Sequence, residues 1–233
     1  MKSLMLFLVL LSFVSVLTAG SYLIIIDAST SMDDYLPEGV SKIDAAKSAA
    51  IDFVDSSSGQ DFAVMKFNGC PDDGNPKTGT IKVVRDFTTD KTSVKSSINA
   101  ITTGDYTPIA EAIAEGRTYI QSEKSGQGTI ILLTDGEENC NGDPVLEAQK
   151  TFQQGIAVIN VVSYSIDESE VSTVEQHKEI ARAGGGKYYA AADAGQLKQA
   201  FTKIKQEQTG STCCLPAFIF GFVGILFVLR RSN

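Results

Sequence analysis

A chain of 233 residues, 43% hydrophobic and 21% charged, has room for one globular domain with accessory segments. Its net charge of −8 excludes nucleic acid as the expected partner, because no basic stripe is present to meet phosphates. With one His and no Trp, histidine-based metal sites and His-dependent triads are close to excluded.

Lys2 precedes an apolar stretch over 4–17, broken only by Ser12 and Ser15, and Thr18, Ala19 and Gly20 follow. A positive start, a short apolar core and small residues describe a secretory signal peptide over 1–20; an uncleaved anchor is the rival reading. Ser21–Asp27 (SYLIIID) reads as a buried strand, being short, apolar and β-branched. Residues 42–55 carry Ile43, Ala46, Ala50, Phe53 and Val54 at helical spacing. Asp61–Phe67 is a second strand. The turn-rich stretch NGCPDDGNPKTG has no helical pattern, so a third strand over 80–87 is expected antiparallel to the second.

A helix is predicted over 91–101, and after the loop TTGDYTP a further helix opens at Pro108 and runs to 121. TIILLT, 129–134, is the fourth strand. Asp143 as N-cap and Pro144 in the first turn start a helix over 143–154. A fifth strand spans 156–164, a helix 172–183, a short sixth strand 187–189 and a last helix 194–206. His177, among Glu175, Gln176, Lys178 and Glu179, is expected to be exposed. Gly184, Gly185, Gly186 and Lys187 lack phosphate-loop spacing and read as a helix stop and a turn.

A polar tether over 208–212 leads to CCLPAFIFGFVGILFVL, 213–229, which carries no charge. This run reaches ~25 Å, at the short end for a transmembrane helix. Arg230 and Arg231 predict a cytoplasmic tail at 230–233, so the domain lies outside the cytoplasm. A bacterial sorting tail, removed by a processing enzyme, is the alternative. The four cysteines fit an oxidising compartment and allow three pairings, of which Cys70 with Cys140 is favoured if the loops that carry them meet.

Alternating strands and helices imply a doubly wound α/β domain over 21–207. Its six-stranded sheet is mostly parallel, with one antiparallel edge strand and helices on both faces. Ligands bind such sheets beyond the carboxyl ends of the strands, at the switch point. In the order 3-2-1-4-5-6 that point lies between the first strand, ending in Asp27, and the fourth, followed by Asp135. Three segments converge on this edge: Asp27-Ala28-Ser29-Thr30-Ser31, Thr107 before Pro108, and Asp135 in LLTDGEEN. They offer two carboxylates and three hydroxyls, and hard oxygen donors suit Mg²⁺, Mn²⁺ or Ca²⁺. A plain turn cap is the bland reading of Asp27 and the serines.

D-x-S-x-S after the first strand, Thr-Pro before a helix and TDG after the fourth strand resemble a von Willebrand factor A domain. The stretch 124–190 is most similar to bacterial members. The resemblance implies a metal ion-dependent adhesion site made of Asp27, Ser29, Ser31, Thr107 and Asp135. It also implies that Ser29, Ser31 and, in the ligand-bound state, Thr107 touch the metal directly, while the aspartates often act through water. The Asp or Glu of a protein partner then fills the open position. Paired cysteines like Cys70 and Cys140 also occur in such members. Asp33 and Asp34 follow Met32 one residue too early for the second metal site of integrin β subunits, so none is carried over. Asp33, Asp34, Glu137 and Glu138 read as solvated. The PDDGN loop at 71–75 shows too few ligands for a Ca²⁺ site.

These readings favour a membrane-anchored, extracytoplasmic module that binds a protein ligand and is not an enzyme. A structural or assembly subunit of a membrane complex is the alternative. A phosphatase of the haloacid dehalogenase type is disfavoured, because Ser29 stands where that family needs a second acid.

Overall fold

The computed structural model describes residues 20–70, 81–124, 128–166 and 169–210. The apolar stretches at both ends and the PDDGN loop lie outside these residues. No helix among the described residues is long and apolar enough to cross a membrane.

Six strands form one sheet: β1 (Ser21–Asp27), β2 (Asp61–Phe67), β3 (Lys82–Thr88), β4 (Gly128–Thr134), β5 (Ala157–Tyr164) and β6 (Gly185–Ala191). Their order is β3-β2-β1-β4-β5-β6, with β3 antiparallel to β2 and every other pair parallel. The helices are α1 (Lys42–Ser56), α2 (Lys91–Asn99), α3 (Ile109–Lys124), α4 (Pro144–Gln153), α5 (Val171–Ala183) and α6 (Ala194–Gly210).

Central β1 is covered on both faces, which is why its sequence is apolar throughout rather than alternating. Tyr22, Ile24 and Ile26 join one core with residues of α1, α2 and α6, including Phe53, Val94 and Phe201. Leu23 and Ile25 join the opposite core with residues of α3, α4 and α5, including Ile113, Ala148 and Ile180.

The helix starts are written locally. Ser41 accepts from the Asp44 amide at α1, Asp90 from the Thr92 and Ser93 amides at α2, and Asp143 from the Leu146 amide at α4. Helix α3 is capped from a distance: the Glu138 carboxylate, from the loop after β4, accepts from the Ala110 amide at 2.8 Å.

The glycine cluster departs from its predicted role as a stop and turn. Gly184 does cap α5, but Gly185 already begins β6, so the strand is longer than 187–189. A Cβ at Gly186 would lie 2.1 Å from the Ile159 carbonyl oxygen. Glycine is what lets β6 close onto β5 there. Helix α6 also runs on to Gly210, beyond the end predicted at 206.

Candidate functional site

The register of the two central strands builds the site. Ile26 pairs with Leu133, which sets Asp27 level with Thr134 and leaves Asp135 one step beyond the sheet edge. The chain leaves β1 through a 3-10 turn over Thr30–Asp33. That turn folds Ser29 and Ser31 back over the strand end.

Four of the five predicted residues form one hydrogen-bonded chain. The Ser29 amide donates to Asp27 Oδ1 at 2.8 Å. The Ser29 and Ser31 hydroxyls lie 3.1 Å apart. The Ser31 hydroxyl donates to Asp135 Oδ1 at 2.7 Å, across 104 residues of sequence. Thr107, the fifth, borders this chain through Gly136: a Cβ at Gly136 would lie 3.7 Å from the Thr107 hydroxyl. Asp27, Ser29, Thr107 and Asp135 are all buried.

Asp27 is wholly buried and sits beside a second carboxylate. Burial, and then the charge of Asp135, push its carboxyl up to about 7, while hydrogen bonds from Thr134 and Ser29 pull the other way. The Thr134 hydroxyl donates to Asp27 Oδ2 at 2.6 Å. Two carboxylates and three hydroxyls converging from three chain segments, with neither nitrogen nor sulfur among them, fit a hard divalent cation.

The loops behind these residues are pinned. Gly104 N donates to the Ala28 carbonyl at 2.7 Å, and the Thr30 hydroxyl donates to the Gly104 carbonyl. A Cβ at Gly104 would lie 2.8 Å from the Asn68 carbonyl oxygen, so this crossing of three loops admits only glycine. Gly104→Ala is expected to lower stability by about 2 kcal/mol, because backbone must shift to make room. Thermal unfolding checks this, and an unchanged midpoint would refute it.

Several residues of the site were not predicted. Lys42 donates from Nζ to Asp135 Oδ2 at 2.8 Å. Asn139 accepts from the Thr107 amide at 2.8 Å, and its own amide donates to the Thr107 carbonyl at 3.3 Å. Glu138, expected to be solvated, instead holds α3 and its own loop. Its Oε1 accepts from the Cys140 amide at 2.7 Å and from the Gly142 amide at 3.4 Å. Glu137, Asp33 and Asp34 are exposed, as predicted. Asp33 accepts from the Thr103 hydroxyl, and Glu137 from that of Ser172.

His177 corrects the expectation of exposure: it is 0% exposed. Its Nε2 lies 2.8 Å from the Gly136 carbonyl and its Nδ1 2.9 Å from the Ser163 hydroxyl. A carbonyl only accepts, so Nε2 carries the proton and Nδ1 accepts from Ser163. Burial lowers its proton affinity and keeps it neutral. The ring thereby ties the TDG loop to β5 and α5. Cys70 and Cys140 form the predicted disulfide, with Cα atoms 5.4 Å apart.

Comparison with known proteins agrees with this architecture. The chain is 34% identical over 116 residues to the uncharacterized protein YwmD of Bacillus subtilis, matching 49% of this chain and half of YwmD's length. It is 31% identical over 189 residues to YwmC of the same organism, matching 77% of this chain and 80% of YwmC. Among solved structures it resembles proximal thread matrix protein 1 from the mussel byssus, described with a zinc-occupied MIDAS motif. That likeness has a TM-score of 0.63 at 19% identity and covers 82% of this chain and 46% of that one. The von Willebrand factor type A domain model matches residues 23–203, and the chain belongs to that family.

Proposed function

We propose that this chain is an extracytoplasmic, membrane-anchored binding module that grips a protein partner through a divalent cation held by Asp27, Ser29, Ser31, Thr107 and Asp135. The observation that carries this reading is the continuous chain from Asp27 through Ser29 and Ser31 to Asp135, assembled from two neighbouring strand ends. Packing alone asks for no such convergence of carboxylates and hydroxyls. A cation bound there supplies a coordination position that the Asp or Glu of a partner completes. The protein's own groups do the rest. Asp27 and Asp135 provide the charge, the serine hydroxyls provide neutral donors, and Asn139 fixes the segment carrying Thr107.

Mg²⁺ or Mn²⁺ suits the all-oxygen set best, and Ca²⁺ takes the same donor type. The zinc in the byssus protein's motif is support from a distant neighbour for a metal at this position. A binding role, rather than aspartyl-phosphate chemistry, is supported by Asp27 itself: it is 0% exposed, and both of its oxygens already accept hydrogen bonds. The Cys70–Cys140 bridge supports an oxidising location. The uncharged run at 213–229 followed by Arg230 and Arg231 supports the anchor.

Calorimetric titration of Mg²⁺ and Mn²⁺ into the full chain in detergent micelles tests the reading, with Asp27→Ala as control. Binding that disappears in the variant, and that added acetate tightens in the wild type, is the expected result. Metal binding that survives in Asp27→Ala would sink it.

A further inference from the structure

Lys42 stands in an unusual place. It is the first residue of α1, where the helix dipole disfavours a cation. Its side chain is only 14% exposed, and its ammonium lies 2.8 Å from Asp135 Oδ2, on a carboxylate side chain with no exposure at all. Asp34 is a weaker second partner at 4.0 Å, with a side chain 72% exposed. The helix start therefore does not hold Lys42 there; the site does. Asp135 in turn has both oxygens engaged, one by Ser31 and one by Lys42.

We propose that Lys42 is the built-in counter-ion of the candidate metal site, weakening its grip on the metal and strengthening its grip on a partner's carboxylate. This rests on the metal-dependent reading above. The charge balance carries the argument. Asp27 and Asp135 alone would cancel a divalent ion and leave a neutral site. Lys42 adds one positive charge at 2.8 Å from Asp135, and Asp34, farther off and exposed to screening by solvent, offsets it only in part, so the loaded site keeps a surplus that an incoming anion neutralises. In the metal-free chain the same ammonium relieves the repulsion between two buried carboxylates. Asp34, exposed and 4.0 Å from the same ammonium, is its weaker second partner. Lys42 thus couples the two binding events: metal is held loosely until a carboxylate arrives.

Two variants of the full chain in detergent micelles test this. Lys42→Gln removes the charge but keeps a donor for Asp135, and Lys42→Arg keeps both. Mg²⁺ affinity is measured by calorimetry with and without acetate, and metal-free melting by circular dichroism. Lys42→Gln is expected to bind Mg²⁺ about tenfold more tightly than the wild type. Acetate should tighten Mg²⁺ binding less in this variant than in the wild type, as reciprocal coupling requires. Its metal-free form should melt lower, while Lys42→Arg stays near the wild type in all three. Equal Mg²⁺ affinity and equal acetate response in wild type and Lys42→Gln would overturn the proposal and leave the metal site standing. No Mg²⁺ binding by any of the three proteins would overturn both.

Discussion

Without divalent cation, Asp27→Asn is expected to melt well above the wild type at pH 8, and the two should converge near pH 4. The Asp27 carboxyl is pushed from 3.8 in the unfolded chain to about 7 in the fold, mainly by burial and then by Asp135. Between these values the folded protein holds a proton that the unfolded chain has released. Its stability therefore falls as pH rises through that window and is lowest above about 7. The amide carries no charge at any pH and escapes this loss, worth on the order of 4 kcal/mol. Local geometry accepts the change. The Ser29 amide keeps its carbonyl acceptor at 2.8 Å. The Thr134 hydroxyl, which now donates to Asp27, has a second acceptor in the Gly136 carbonyl at 3.2 Å and is free to accept from the new amide. Melting curves at several pH values in the presence of chelator read this out. A variant that melts below the wild type at pH 8 would show that the fold does not resist the charge on Asp27. Greater stability joined to lost metal binding is what a site kept for function, against the interest of the fold, should display.

The features that sequence made legible are those whose causes are local. Strands β1, β4 and β5 are short, largely apolar runs rich in β-branched residues, and Asp143 with Pro144 announces α4 within two residues. The meeting of Asp27 with Asp135 followed from strand order alone, because both sit at carboxyl ends beside the switch point. What stayed hidden depends on partners distant in sequence. Glu138 looks solvated among its neighbours, yet it caps α3 from 28 residues away. Lys42 reaches Asp135 across 93 residues, although a lysine at a helix start is itself at odds with the helix dipole. His177 was readable: Thr173, His177, Ile180 and Ala181 fall at the four-, three- and one-residue steps of a buried helix face. Charged neighbours in sequence masked it, since on a helix they point elsewhere. The extent of β6 was obscured because its first two glycines are there for close approach, Gly185 to the Phe152 ring and Gly186 to the Ile159 carbonyl, contacts that no local pattern encodes.

Removing the disulfide, as Cys70→Ser with Cys140→Ser, is expected to have the largest effect on stability. The bridge closes a span of 70 residues, for which chain entropy predicts about 4 kcal/mol. In a domain of this size that is a fall of roughly 10 °C in melting temperature. The consequence for the site follows from what the bridge holds. Cys140 lies in the loop after β4, directly after Glu138 and Asn139. Glu138 anchors that loop to the start of α3, and Asn139 holds Thr107 from both its amide and its carbonyl side. Freeing Cys140 leaves these contacts to hold Thr107 without a covalent brace. On the proposed metal-binding reading, Mg²⁺ affinity in the double variant should therefore fall by about tenfold, as expected for a lost support behind a proposed ligand. It should not vanish, because Asp27, Ser29, Ser31 and Asp135 are assembled by β1 and β4, away from the bridge. The wild type treated with reductant should reproduce both changes. A double variant that melts with the wild type would mean that the loop contacts alone define the native loop. One that keeps its melting temperature yet loses Mg²⁺ entirely would place Thr107, rather than the two aspartates, at the centre of metal binding.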